Sequence, residues 1–136
     1  MFITSVDDKV LGEKLVLPEH VLQFIPVKSK REAYYICAVL NSSLVIKQLY
    51  ALSSHGKSGL SASIVKQIRL DKFDPKNSTH DSLATLSMQA HGFSNLNDAE
   101  ALEKVEKTIN ETVELLYKKP KEKYQASALL GTPFVG

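Results

Sequence analysis

Lys57, Ser58, Ser61, Lys66 and Arg69 fall within 13 residues of one another, and Lys47 precedes them by ten. Gly56 and Gly59 lie in the same stretch and allow close backbone approach. Lysine, arginine and serine among small neighbours are the groups that take phosphate oxygens and set a protein's register on duplex DNA. Lys57, Ser58, Ser61 and Lys66 are the leading candidates for such backbone contacts, with Arg69 and Lys47 secondary. The same pattern also describes a solvated loop beside charged helix faces, and residue types alone leave both open. A narrower reading starts one turn earlier. Ala51-Leu52-Ser53-Ser54-His55-Gly56-Lys57-Ser58 fits a relaxed phosphate-loop pattern, in which backbone N–H groups cradle a phosphate, Lys57 neutralises it and Ser58 holds magnesium. Context points away from it. The preceding segment is patterned as a helix rather than a buried strand, and no later Val/Ile-rich strand ends in an Asp for the metal.

Other chemistry finds less support. His20, His55, His80 and His91 form no i, i+4 pair. His80 and His91 stand 11 residues apart on one expected helix, roughly 16 Å at 1.5 Å per residue, too far to share a metal. Cys37 falls on the apolar face of an expected helix, where a buried thiol is inert rather than nucleophilic. No Gly-x-Ser-x-Gly elbow is present. The expectation is therefore no catalytic residue and no metal ligand in this chain.

Those side chains must be positioned by a small set of elements. Glu13 to Leu17 and Val21 to Val27 are rich in Val, Leu, Ile and Phe around Pro18-Glu19-His20, and predict two short strands in a β element over 1–28. Ser29 and Glu32 form a capping-box pattern. It opens a helix whose apolar residues Ala33, Ile36, Cys37, Leu40 and Leu44 recur at spacings of 3, 1, 3 and 4. Asn41-Ser42-Ser43 interrupts that face with residues that bond locally to backbone, so a bend is expected there, with a second helical piece to about Leu52. Ser53 to Ser63 reads as a loop, and Ile64 to Leu70 as a short helix or a strand. Phe73 to Asn77 reads as a turn around Pro75. Ser78 is the expected cap of a helix carrying Leu83, Leu86 and Ala90, with Gly92 as its stop. Asn97 is the expected cap of the last helix, whose seam Leu102, Val105, Ile109, Thr112 and Leu116 calls for a partner. The preceding helix offers one, which predicts an antiparallel hairpin over 78–119.

Composition bounds the class. At 136 residues, 43% hydrophobic and 24% charged, the chain is long enough for one cored domain and too apolar to be disordered. A single cysteine excludes an internal disulfide framework. No apolar run reaches the ~20 residues of a membrane span, and the N-terminus has acids where a signal peptide has bases, so a cytoplasmic setting is expected. Residues 1–80 hold 11 Lys/Arg against 7 Asp/Glu, whereas residues 81–136 hold 6 against 8. A basic first part and an acidic helical second part suggest polyanion contact and packing as separate jobs.

The stretch Glu32-Ala33-Tyr34-Tyr35-Ile36-Cys37-Ala38-Val39-Leu40-Asn41-Ser42 resembles a helix in the C-terminal specificity domain of Taq-type N6-adenine DNA methyltransferases. The Gly/Ser loop His55 to Ser63, the segment Ile64 to Ile68 and the turn Phe73-Asp74-Pro75 follow in that family's order. So do His80, Leu83-Ala84, Leu86-Ser87 and Ala90-His91, and then a Glu-rich helix from Lys107 to Tyr117. The likeness covers roughly residues 15 to 118. Leu70-Asp71 stands where the family usually has an Ile-Pro step. The hairpin is also similar to the spacer helices of type I restriction specificity subunits.

The resemblance implies DNA target recognition within a restriction–modification system. It also implies that S-adenosylmethionine and the flipped adenine belong to a catalytic methyltransferase domain, in cis or in trans, since this chain has no Asn-Pro-Pro-Tyr motif and no cofactor-binding Gly-rich loop. The expected partners are double-stranded DNA and that domain, with no membrane. The expected fold is α+β, mainly helical, with one domain over 1–119 (β element 1–28, helix and Gly/Ser loop 29–77, hairpin 78–119) and a disordered tail over 120–136. The alternative is a protein-interaction module that docks through its helical hairpin on a methyltransferase or on a second copy of itself, the homodimer forming through helix 98–117.

Overall fold

The computed structural model describes residues 25–53 and 61–118. Within them the chain forms α1 (Lys30–Asn41), α2 (Ser43–Leu52), a single turn α3 (Ala62–Val65), α4 (Ser78–Asn95) and α5 (Ala99–Lys118). The fold is mainly helical, and no strand occurs among the described residues. The expected β element lies outside the described residues from 1 to 24; its last residues, Ile25 to Val27, carry no regular structure. The tail 120–136 also lies outside them.

The start of α1 departs from a reciprocal capping box. The Ser29 hydroxyl accepts from the Glu32 N–H at 3.1 Å, but the Glu32 carboxylate accepts from the Lys28 N–H at 2.7 Å rather than from that of Ser29. Ser42 then closes one helix and opens the next. Its hydroxyl donates to the Val39 carbonyl at 2.6 Å and accepts from the Val45 N–H at 3.4 Å. Its extended backbone breaks the chain into two helices bent by 65°. A third contact fixes the bend: the Asn110 side-chain oxygen on α5 accepts from the Ser43 N–H at 2.8 Å and satisfies one of the donors that every helix start leaves over.

Four expectations in the second half are corrected. Asn77, not Ser78, caps α4, because its side-chain oxygen accepts from the N–H groups of Thr79 and His80 at 3.0 and 3.4 Å. Gly92 does not stop α4, which continues to Asn95. Asn97 does not cap α5. It takes the left-handed conformation, φ 56°, just beyond α4. There Asn97 N–H donates to Ser94 O and Asp98 N–H to Phe93 O, a Schellman closure. Asp98 is the residue that caps α5, accepting from the Ala101 N–H at 3.0 Å. The fourth correction concerns the seam of α5, where Val113 is fully buried and Thr112 is not. A straight helix with 3.6 residues per turn drifts off a strict seven-residue repeat, so the buried stripe runs Ile109, Val113, Leu116.

α4 is the central helix and packs against both α1 and α5. With α5 it forms the expected antiparallel pair across the short turn 96–98. Tyr35, Val39 and Leu40 from α1, Val45 from α2, Leu83 and Ala84 from α4, and Val113 from α5 meet in one core. Fully burying a side chain such as Leu or Val contributes roughly 1.5–3 kcal/mol. Arg31 ties α1 to α4 at the surface, donating to the Asp81 carboxylate and, at 3.0 Å, to the Thr85 hydroxyl. Among the described residues no single helix is long and apolar enough to cross a membrane.

The stretch after α3 is neither of the two forms expected for it alone. One helical turn, α3, leads into a short extended piece in which Ile68 and Leu70 enter the core while Arg69 and Asp71, which alternate with them, are partly buried. Two tyrosines hold that piece. Tyr35 on α1 donates to the Asp71 carbonyl at 3.1 Å, and Tyr117 on α5 donates to the Arg69 carbonyl. The turn 73–77 is fixed to α4 in a similar way. His80 Nδ1 accepts from the Asp74 N–H at 3.1 Å, and the His80 ring lies against Tyr35 with centroids 4.6 Å apart.

Candidate nucleic-acid interface

Lys47 is exposed on α2. Ser61 is half-buried just before α3, where its carbonyl accepts from the N–H groups of Ile64 and Val65. Its hydroxyl shares a 2.8 Å hydrogen bond with that of Ser63. Lys66 follows α3 in a turn closed by Gln67 N–H to Ile64 O and Ile68 N–H to Val65 O, and it is half-buried. Lys57 and Ser58 lie outside the described residues.

Arg69 is committed within the fold. Its Nε sits 3.5 Å from an Asp71 carboxylate oxygen, and its guanidinium lies 5.8 Å from the centre of the Tyr117 ring. The guanidinium and the ring together cover the end of α5, and this cation is therefore poorly placed to leave for a phosphate. Lys47 and Lys66 differ from it, because neither pairs with a carboxylate among the described residues.

α2 packs on α3, and this contact brings the candidate elements together. A cleft of about 430 Å³ opens between α2 and residues 67–69, which follow α3. Gln48, Ala51 and Leu52 of α2 line one side, and Gln67, Ile68 and Arg69 line the other, with Tyr117 at the end. Lys47 and Lys66 are the sequence neighbours of the two glutamines. Gln48, Gln67 and Tyr117 were not singled out by their sequence pattern. A neutral amide carries no charge signal, and Tyr117 reveals its place only when α5 folds against residue 69.

The remaining reactive groups are structural. Cys37 is buried in α1, with the Asn41 amide nitrogen 3.1 Å from its sulfur. His91 Nδ1 lies 2.7 Å from the Ser87 carbonyl and its ring meets Tyr34 edge-on. His20 and His55 lie outside the described residues. Among the described residues no group of three or more His, Cys, Asp or Glu is placed to hold a metal.

Burial marks the two clamping tyrosines electrostatically. Burial, and then the Asp71 carboxylate, push the Tyr35 phenol far above its ordinary range. Burial pushes Tyr117 up to about 12, partly offset by Arg69. The native state therefore keeps protons that the unfolded chain gives up near pH 10. The stabilisation from both phenols is complete below about pH 10 and is lost as pH rises through the folded values. An ultraviolet phenolate titration of the folded protein is expected to show late ionisation of Tyr35 and Tyr117. Removing Tyr117 as Tyr117→Phe is expected to delete one late step and to flatten the alkaline loss of stability; an unchanged titration would refute the clamp.

Comparison with protein-family models, curated proteins and solved structures gave no match to this chain.

Proposed function

We propose that this chain is a DNA-binding, target-recognition module of a restriction–modification N6-adenine DNA methyltransferase, non-catalytic in itself. The observation that carries this reading is the pair Lys47 and Lys66. They come from separate elements, each is next in sequence to a residue that lines one cleft, and neither has a carboxylate partner among the described residues. Lysines so placed serve as phosphate contacts, which give affinity and register without reading sequence. Ser61, just before α3, is assigned the same role, whereas Arg69 acts as part of the wall. The ordered likeness to the specificity domain of Taq-type enzymes supplies the biological setting. In that setting S-adenosylmethionine binds in a methyltransferase catalytic domain, joined in cis or supplied in trans, and the protein works in the cytoplasm.

Duplex binding measured by fluorescence anisotropy over a salt series tests the proposal. Affinity is expected to fall steeply with salt, and each of Lys47→Ala and Lys66→Ala is expected to reduce the log–log slope by about one. Binding that ignores both salt and these substitutions would sink it.

The docking alternative rests on a smaller observation. The seam of helix 98–117 is taken up inside the fold, but Leu115 remains 60% exposed on its outer side. A homodimer or a methyltransferase contact through this helix would use that outer side. A molecular weight by sedimentation that is unchanged in Leu115→Lys would dispose of it.

A further inference from the structure

α2 buries Val45 and Leu49, whereas Ile46, Lys47 and Tyr50 are exposed. Tyr50 lies four residues from Ile46 and three from Lys47, which sets the three side by side on one side of the helix. Tyr50 protrudes most, at 76% exposed against 37% for Ile46. Its ring meets no other ring, and its hydroxyl makes no hydrogen bond among the described residues. The electrostatic setting is one-sided. From Ala33 to Leu70 the sequence contains no Asp or Glu, so neither α2 nor α3 carries a carboxylate. The helices packed on α2 from either side do carry acids. On α1, Glu32 is engaged by the Lys28 N–H, and on α5 Glu111 and Glu114 are exposed, but none of the three pairs with Lys47.

A bare aromatic ring beside a lysine, on an element without carboxylates, is complementary to a polyanion that carries planar rings, and nucleic acid is that polymer. An anionic bilayer is a poorer partner. A helix lying in a membrane interface buries a broad apolar face. Here one aromatic side chain protrudes, while Ile46 and Leu52 are only 37% and 40% exposed. The state of the nucleic acid follows from the ring. A fully paired duplex hides the faces of its bases inside the stack and offers edges, sugars and phosphates, whereas an unpaired base offers its face. Building on the DNA-binding reading above, we infer that the outer side of α2 binds an unpaired nucleotide in DNA. The Tyr50 ring stacks on the base, and Lys47, one turn back on the same side, takes an adjoining phosphate. Stacking of this kind accepts any base, because every base has a π-face.

Comparing a duplex that carries a short single-stranded gap with the same duplex fully paired tests the site in the full chain. Tyr50→Ala is expected to weaken binding to the gapped DNA roughly five- to a hundredfold and to leave binding to the paired duplex as it was. The salt slope is expected to be unchanged on both, because a neutral ring releases no counterion. Tyr50→Phe keeps the ring and is expected to keep the parent affinity. The chain has no tryptophan, so Tyr50→Trp supplies a single reporter, whose fluorescence is expected to be quenched by the gapped DNA. The ring is exposed, and all three variants are expected to melt with the parent. Parent affinity for gapped DNA in Tyr50→Ala would overturn the stacking site and leave the DNA-binding reading standing, since Lys47 and Lys66 test that reading on the paired duplex. An equal loss on paired and gapped DNA would place the ring on the backbone and overturn it too. So would a blue shift of the Tyr50→Trp emission on phosphatidylserine vesicles without any response to gapped DNA, which would make this face a membrane contact. A parent protein that binds neither DNA would remove the DNA-binding reading and the stacking site together.

Discussion

Tyr35→Ala is expected to cost about 3–5 kcal/mol of folding stability, a large share of the roughly 5–15 kcal/mol that holds a domain together. Tyr35 is completely buried, and three kinds of contact converge on it. Its ring lies against His80 at 4.6 Å and Phe73 at 5.5 Å, which joins α1 to the turn before α4. Its hydroxyl holds the Asp71 carbonyl at 3.1 Å and so pins the extended piece that carries Ile68 and Leu70 into the core. Alanine would leave a cavity and an unsatisfied carbonyl together. Tyr35→Phe keeps the ring and removes only the hydrogen bond, so about 1–3 kcal/mol is expected. Urea unfolding of the two variants measures both quantities. Equal losses would mean that packing of the ring contributes nothing, which its complete burial forbids.

What the sequence revealed was local. Ser29 as a cap, the break at Asn41-Ser42-Ser43 and the turn around Pro75 each depend on side-chain-to-backbone bonds over three or four residues, and each lies where the pattern placed it. The misses share a cause. Asn97 and Asp98 are both plausible caps by type. Which of them takes the left-handed position depends on closing α4 by the Phe93 and Ser94 carbonyls. Gly92 looked like a stop because glycine disfavours helix. Its backbone stays helical because the helix continues on either side and Asn97 supplies the terminating geometry instead. The Asn110 bond to Ser43 spans 67 residues and leaves no trace in any window of the sequence.

The site divides in the same way. Lysines and serines announce themselves by type, so Lys47, Ser61 and Lys66 were visible at once. Arg69 was equally visible and means something different. Its role is set by Asp71 two residues on and by Tyr117 forty-eight residues on, and only the folded chain brings the second of these to it. Gln48 and Gln67 become notable only when the folded chain sets both in the lining of one cleft.

Val113→Asp is expected to unfold the protein or to cost several kcal/mol, whereas Thr112→Asp is expected to change stability by no more than about 1 kcal/mol. The two positions are neighbours in sequence and opposites in environment. Val113 has no exposed surface, so a carboxylate there would lose its water with nothing charged to replace it. Thr112 is only half-buried, and its hydroxyl donates at 2.7 Å to the Thr108 carbonyl of its own helix. A strict seven-residue seam puts the larger effect at 112. The straight-helix stripe through Ile109, Val113 and Leu116 puts it at 113. Thermal melts of the two variants therefore decide the rotation of α5 about its own axis. That rotation has a consequence at the cleft, because Tyr117 lies one turn beyond Val113 and must face Arg69 to close its end. A helix turned to bury Thr112 would carry Tyr117 away from residue 69, and the wall shared by Arg69 and the cleft would be lost with it. A severe Val113→Asp and a mild Thr112→Asp thus test the core and, through Tyr117, the geometry of the cleft.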